Sequence, residues 1–133
     1  MTRVIVDTSA YSAFMRGHQE LTHALQQADE IYLNPVIIGE LLAGFMRGRH
    51  RKKNRMELDQ FVTSPRVSIV DINEETAERY AVILNALWKA GMPIPTNDIW
   101  IAASAMQHGC RLLTVDAHYQ KVDQILVEYF EVY

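Results

Sequence analysis

Short runs rich in β-branched residues alternate along this chain with segments of helical period. "RVIVD" (3–7), "EIYLNP" (30–35), "RVSIVDI" (66–72), "RLLTVD" (111–116) and "EYFEVY" (128–133) each predict a strand. Between them, residues 36–49 predict a helix, with Asn34 as its cap and Pro35 at its first position, where a missing N–H costs nothing. In 74–91, the residues Ala77, Tyr80, Ala81, Leu84, Leu87 and Trp88 recur at the i, i+3, i+4, i+7 spacing of one helix face, between the cap Asn73 and the stop Gly91. In 97–109, Ile99, Ala102, Ala103 and Met106 repeat the scheme and Gly109 ends it. Strands alternating with helices imply the α/β class, a mainly parallel sheet of four or five strands with helices on both faces. Ligands of such sheets bind beyond the carboxyl ends of the strands.

Composition narrows the picture. The 133 residues suffice for one domain, spanning 1–133, and a 49% hydrophobic, 22% charged content fits a globular chain. No apolar run approaches the roughly 18 residues of a membrane span, and "MTRVIVDTS" is too weakly apolar for a signal-peptide core, so a cytoplasmic protein is expected. The single cysteine, Cys110, agrees with a reducing compartment. Net charge is −3, but its distribution is uneven: "RGRHRKKNR" (47–55) holds six of the 13 Lys and Arg and no acid, leaving seven bases elsewhere against 16 acids.

Four carboxylates then stand out. Asp7 and Asp116 end two strand patterns and so belong at the carboxyl edge of the sheet. Asp98 sits where a helix begins. Each has a plain local reading, as a cap or as an acid facing a helix dipole. Glu40 does not. It is the one charged residue in "VIIGELLAG" (36–44), past the first turn of its helix, and an unpaired buried carboxylate costs several kcal/mol. Carboxylates from four segments meeting at one sheet edge repel unless a cation joins them. Oxygen ligands favour Mg²⁺ or Mn²⁺ over Zn²⁺. The five histidines show no zinc-ligand spacing, and Cys-x-x-Cys, Walker A and Gly-x-Gly-x-x-Gly patterns are absent. A site of this kind suits phosphodiester hydrolysis. Arg47, Arg49, Arg51, Lys52, Lys53 and Arg55 are candidates to grip phosphates away from the cut, against the commoner role of a charge run as a solvated helix face or loop.

Together, "VDTSAY" with Asp7, "IIGELLAG" with Glu40, "TNDIWIAASA" with Asp98 and "LLTVDAHY" with Asp116 resemble the PIN-domain nucleases, in particular the VapC-type toxins of bacterial toxin–antitoxin pairs. The resemblance runs from the first strand to about residue 119. It implies a three-layer α/β/α domain with an acidic pocket binding Mg²⁺, for which Mn²⁺ can substitute, and endonucleolytic cleavage of RNA. It ties Asp7 and Asp98 most directly to metal, completes the pocket with Glu40 and Asp116, and gives Thr8 or Ser9 the small hydroxyl that supports the first acid beside the substrate. It also implies a homodimer and an inhibitory antitoxin that forms a hetero-oligomer with the toxin. One departure is visible: many relatives follow the fourth acid with a short polar segment and Asp-Phe, where this chain has His118 and Tyr119. His118 has two readings, a contact to substrate and the commoner surface loop residue, and the second is expected.

Two other readings compete. The fold could serve as a silent dimerising or binding module, although all four acids are kept. It could also be a phosphohydrolase of small esters, although Ser9 stands where the second Asp of an Asp-x-Asp phosphatase would be.

Overall fold

The computed structural model describes residues 1–132. Five strands, β1 (Arg3–Val6), β2 (Glu30–Leu33), β3 (Val67–Ile69), β4 (Arg111–Thr114) and β5 (Leu126–Tyr129), form one sheet in the order β3-β2-β1-β4-β5. Every pairing is parallel. Six helices flank the sheet in a three-layer α/β/α arrangement: α1 (Thr8–Met15), α2 (Gln19–Gln27), α3 (Pro35–Arg47), α4 (Arg51–Val62), α5 (Glu74–Ala90) and α6 (Thr96–His108). A short 3₁₀ turn (Ala117–Lys121) leads from β4 toward β5.

The chain builds one half of the sheet from β1 outward to β3, then returns to the centre for β4. The strand order therefore reverses between β1 and β4, and a crevice at the carboxyl ends of these two strands is where an open parallel sheet binds its ligand. Both strands are buried on both faces except at their first residues, as continuous apolar runs in a covered sheet should be.

Predicted caps are in place. The Asn34 side chain accepts the N–H of Ile37 at 3.0 Å, with Pro35 at the first helical position. Asn73 and Thr76 cap α5 reciprocally. Gly91 and Gly109 end α5 and α6 with φ of 67° and 63°, the left-handed conformation that glycine adopts without steric cost.

Three expectations need correction. The third strand keeps only Val67–Ile69 of 66–72, because this edge pairs on one side alone. The last strand is Leu126–Tyr129 rather than 128–133, of which Tyr133 lies outside the described residues; its register is set by β4, with Leu113 opposite Glu128. In α5 the buried line is Thr76, Ile83 and Leu87, while Trp88 is 65% exposed and Ala77 and Ala81 face outward. The helix is rotated from its most apolar face because it packs on α6, where the buried Thr76 hydroxyl bonds Gln107. The charge run itself lies largely on a solvated helix, Arg51–Val62, one of the two readings open for it; the helix's apolar contacts, Leu58, Phe61 and Val62, are confined to its last turns.

Candidate active site

Local structure explains the position of three of the four acids. Asp7 follows β1 and caps α1, its Oδ1 accepting the N–H of Ala10 at 2.8 Å. Asp98 lies in the first turn of α6. Asp116 follows β4 and caps the 3₁₀ turn, accepting the N–H of His118 at 2.9 Å. The plain local reading is thus correct for each, and the partial positive charge at a helix start favours Asp7 and Asp98 as carboxylates. Glu40 is different. It sits on the second turn of α3, where Thr8 Oγ1 donates to its Oε1 at 2.6 Å and Asn97 Nδ2 to its Oε2 at 3.3 Å.

Tertiary structure gathers them. Asp7, Glu40, Asp98 and Asp116 line one pocket of about 230 Å³ at the carboxyl ends of β1 and β4, together with Ser12 and Tyr119. Parallel pairing of Val6 with Leu113 brings Asp7 beside Thr114. There the buried Thr114 hydroxyl donates to Asp7 Oδ2 at 2.7 Å and accepts the N–H of Asp116 at 2.9 Å. Ser9 Oγ lies 2.9 Å from both Asp7 oxygens and accepts the N–H of Val115 at 3.2 Å. Larger hollows exist, including one of about 580 Å³ near Arg111 and His23, whose acids are Glu20 and Glu128.

The electrostatics are those of a site short of positive charge. Burial pushes the Asp7 carboxyl up to about 6 despite its three hydrogen-bond donors, with the charge of Asp116 adding to the rise. Burial and then Asp116 also raise Asp98, against the bond from Tyr119 and the neighbouring His118. Tyr119 is itself buried, which keeps its phenol protonated, and it donates to Asp98 Oδ1 at 3.2 Å. Among the described residues, no Lys or Arg forms an ion pair with any of the four acids. A divalent cation fits this donor set: hard oxygens on several sides, too little compensating charge, and carboxyls whose protonation a metal would reverse.

The sequence missed several contributors. His118 was expected as a surface loop residue. It is half-exposed, but its Nδ1 lies 3.3 Å from Asp98 Oδ2 and 3.2 Å from Asp116 Oδ1, close enough for the three side chains to share one ion. Thr114, Asn97 and Tyr119 hold acids in place; a Leu-Leu pair running into Thr-Val-Asp was the one available signal for Thr114. Thr8 and Ser9 border the pocket, with their hydroxyls turned to Glu40 and Asp7. The basic residues do not border it. Arg47 ends α3, Arg49 lies in the link, and Arg51, Lys52, Lys53 and Arg55 belong to α4; all are exposed, and Arg55 pairs with Asp59 at 3.1 Å. Lys53 alone of these lines a groove that meets the acid pocket at Ser12.

An all-parallel sheet with acids gathered over its reversal point is the PIN architecture, and the PIN domain family model matches residues 4–125: the chain belongs to the PIN-domain family. Within it, the chain is 33% identical over 115 residues to Ribonuclease VapC1 of Rickettsia felis, covering 85% of this chain and 84% of that protein. It is 30% identical over 92 residues to Ribonuclease VapC4 of Mycobacterium tuberculosis, covering 69% and 71%. The solved VapBC-1 from nontypeable Haemophilus influenzae superposes with a TM-score of 0.84 over 96% of this chain and 98% of that one, at 21% identity, a likeness of fold.

Proposed function

We propose that this chain is a metal-dependent endoribonuclease that cleaves RNA phosphodiester bonds as the toxin of a toxin–antitoxin pair. The observation that carries the reading is the convergence of Asp7, Glu40, Asp98 and Asp116 on one pocket without a Lys or Arg ion pair among the described residues. The relatives named Ribonuclease VapC supply the substrate class, RNA, and the neighbours named VapBC supply the antitoxin.

Asp7, Asp98 and Asp116 would hold Mg²⁺, or Mn²⁺ in its place, with Glu40 completing the pocket and the His118 nitrogen within reach. When bound, such an ion neutralises the acids and the scissile phosphate and makes a water more acidic. The chain's own residues do the rest. Ser9 and Thr114 fix the plane of the Asp7 carboxylate, and Tyr119 fixes that of Asp98, so both face the pocket without rearranging. Thr8 and Asn97 hold Glu40 opposite them, placed to take a proton from the attacking water. Thr8 and Ser9 border the scissile phosphate. Arg47, Arg49, Arg51, Lys52, Lys53 and Arg55 give the RNA backbone a cationic approach, since an acidic pocket by itself repels it. The protein acts as a single nuclease domain and homodimer in the cytoplasm; among the described residues, no helix is long and apolar enough to cross a membrane.

The test is cleavage of RNA by the purified chain, freed of any co-purifying antitoxin. Cutting should require Mg²⁺ or Mn²⁺, stop with EDTA, and disappear in Asp7→Asn while that variant keeps a cooperative unfolding transition. Full activity in Asp7→Asn would refute the assignment.

A further inference from the structure

Beside the acid pocket, α1, α3 and α4 enclose a second hollow of about 280 Å³, and Ser12 borders both. Its chemistry is the opposite. Arg16 and Lys53 line it, and among the described residues neither has an ion-pair or hydrogen-bond partner for its side chain. Asn54 adds an amide, Phe45 and Met15 an apolar wall. Glu57 is its one acid and pairs with neither cation. At its inner side lies Tyr11, 2% exposed, whose hydroxyl is buried without any hydrogen-bond partner. Buried polar atoms are almost always paired, so an orphaned phenol lining a cationic groove marks a partner still to arrive.

We propose that this groove is a subsite for single-stranded RNA, taking the backbone phosphate next to the one positioned over the acid pocket. The proposal rests on the nuclease reading for which phosphate is cut, but the groove's preference for a polyanion rests on its own residues. Arg16 offers a forked donor set that matches phosphate oxygens, and Lys53 a point charge. Burial, with the charge of Glu57, pushes the Tyr11 phenol up to about 12, so it remains a donor at neutral pH. Tyr11 lines the groove, and a phosphate seated between Arg16 and Lys53 would meet its hydroxyl once the covering side chains part. Phe45 and Met15 give the attached sugar or base an apolar surface. The arrangement also settles how a polyanion enters a site that is acidic: the strand is held by cations one step away from where the acids act. A partner offering arginines or lysines would meet two uncompensated cations here.

The test uses the full chain and a fluorescein-labelled single-stranded RNA, with binding followed by anisotropy in EDTA so that nothing is cut. Arg16→Ala/Lys53→Ala should weaken binding about tenfold at low salt and flatten the salt dependence by roughly 0.7 per lost phosphate contact, about 1.4 in all. Tyr11→Phe should leave the melting temperature unchanged or raised, because no bond is lost, yet weaken the same RNA several-fold. With Mn²⁺ present, both changes should raise KM while sparing kcat. An unchanged salt slope in the double variant, or unchanged RNA binding in Tyr11→Phe, overturns the subsite. So does a double variant that binds RNA normally and has lost only a protein partner. Failure of the nuclease reading is separable: the wild-type chain would then bind RNA with the expected slope in EDTA but cut none with metal.

Discussion

Thr114 and Asp7 stand 107 positions apart, yet the buried Thr114 hydroxyl donates to the Asp7 carboxylate at 2.7 Å and at the same time accepts the backbone N–H of Asp116 at 2.9 Å. One hydroxyl thus ties together two of the four acids. Thr114→Val keeps the shape and removes both bonds. It should cost about 1–3 kcal/mol of stability and weaken Mn²⁺ binding about 10- to 100-fold by calorimetry, and Thr114→Ser should restore most of both. Wild-type Mn²⁺ affinity in Thr114→Val would show that the bridge does not orient the pocket.

The pH dependence follows from Asp7. Its folded carboxyl titrates at about 6 and its unfolded one near 3.9. Between those values the folded chain holds a proton that the unfolded chain has released, so in the metal-free protein this group's contribution falls as pH rises from about 4 to about 6 and stays low above that. His108, held below its usual value by burial, slopes the other way as pH rises toward that value. Comparison with Asp7→Asn cancels His108. Urea unfolding of both proteins in EDTA should therefore show stability shifting toward Asp7→Asn by about 2 kcal/mol from pH 4.5 to 7. A difference that does not move with pH would mean that Asp7 is not raised. Metal should reverse the penalty: Mn²⁺ should raise the melting temperature of the wild type more at pH 7.5 than at pH 5.

His118 brings a nitrogen to a site otherwise made of oxygens. Imidazole suits Mn²⁺ less than it suits Co²⁺, Ni²⁺ or Zn²⁺, and Mg²⁺ least of all. His118→Ala should therefore lower Co²⁺ affinity at least tenfold and leave Mg²⁺-supported RNA cleavage within a few-fold of wild type. An equal loss for both ions would assign the ring to substrate rather than to metal.

Asn34 anchors the helix that carries Glu40. Its Oδ1 caps α3 at Ile37, and its Nδ2 donates to the buried Ser104 hydroxyl of α6 at 2.9 Å. Asn34→Ala removes the cap and leaves Ser104 without that donor. A loss of about 2 kcal/mol is expected, read as a lower urea midpoint at unchanged m. Because α3 and α6 carry Glu40 and Asp98, RNA cleavage should fall as well.

Much of the fold is legible because its signals are local. Asn34–Pro35, Asn73, Gly91 and Gly109 mark helix ends through bonds made within a few residues, and Val4, Ile5 and Val6 in β1 and Leu112 and Leu113 in β4 are unbroken apolar runs because both faces of the sheet are covered. Where burial is decided by a distant neighbour, the pattern misleads. Trp88 looks like core by spacing and lies outside, because α6 receives the Thr76–Ile83–Leu87 line instead. In α4 three apolar residues suffice, since Tyr11 and Phe14 pack against Phe61 and spare the basic first turns any burial.

The four acids divide along the same line. That Asp7, Asp98 and Asp116 would cap or begin helical turns, and that Glu40 would have no local role, follows from the sequence, because a cap depends only on backbone within its own turn. That they share one pocket is the work of the strand order. Only the adjacency of β1 and β4 sets Asp7 against Thr114 and Asp116, and only the packing of α3 and α6 over that edge brings in Glu40, Asp98 and the reach of His118. Propensity and spacing describe how each segment folds, whereas the choice of neighbouring strand is made by long-range burial, whose energy is not written in either segment alone.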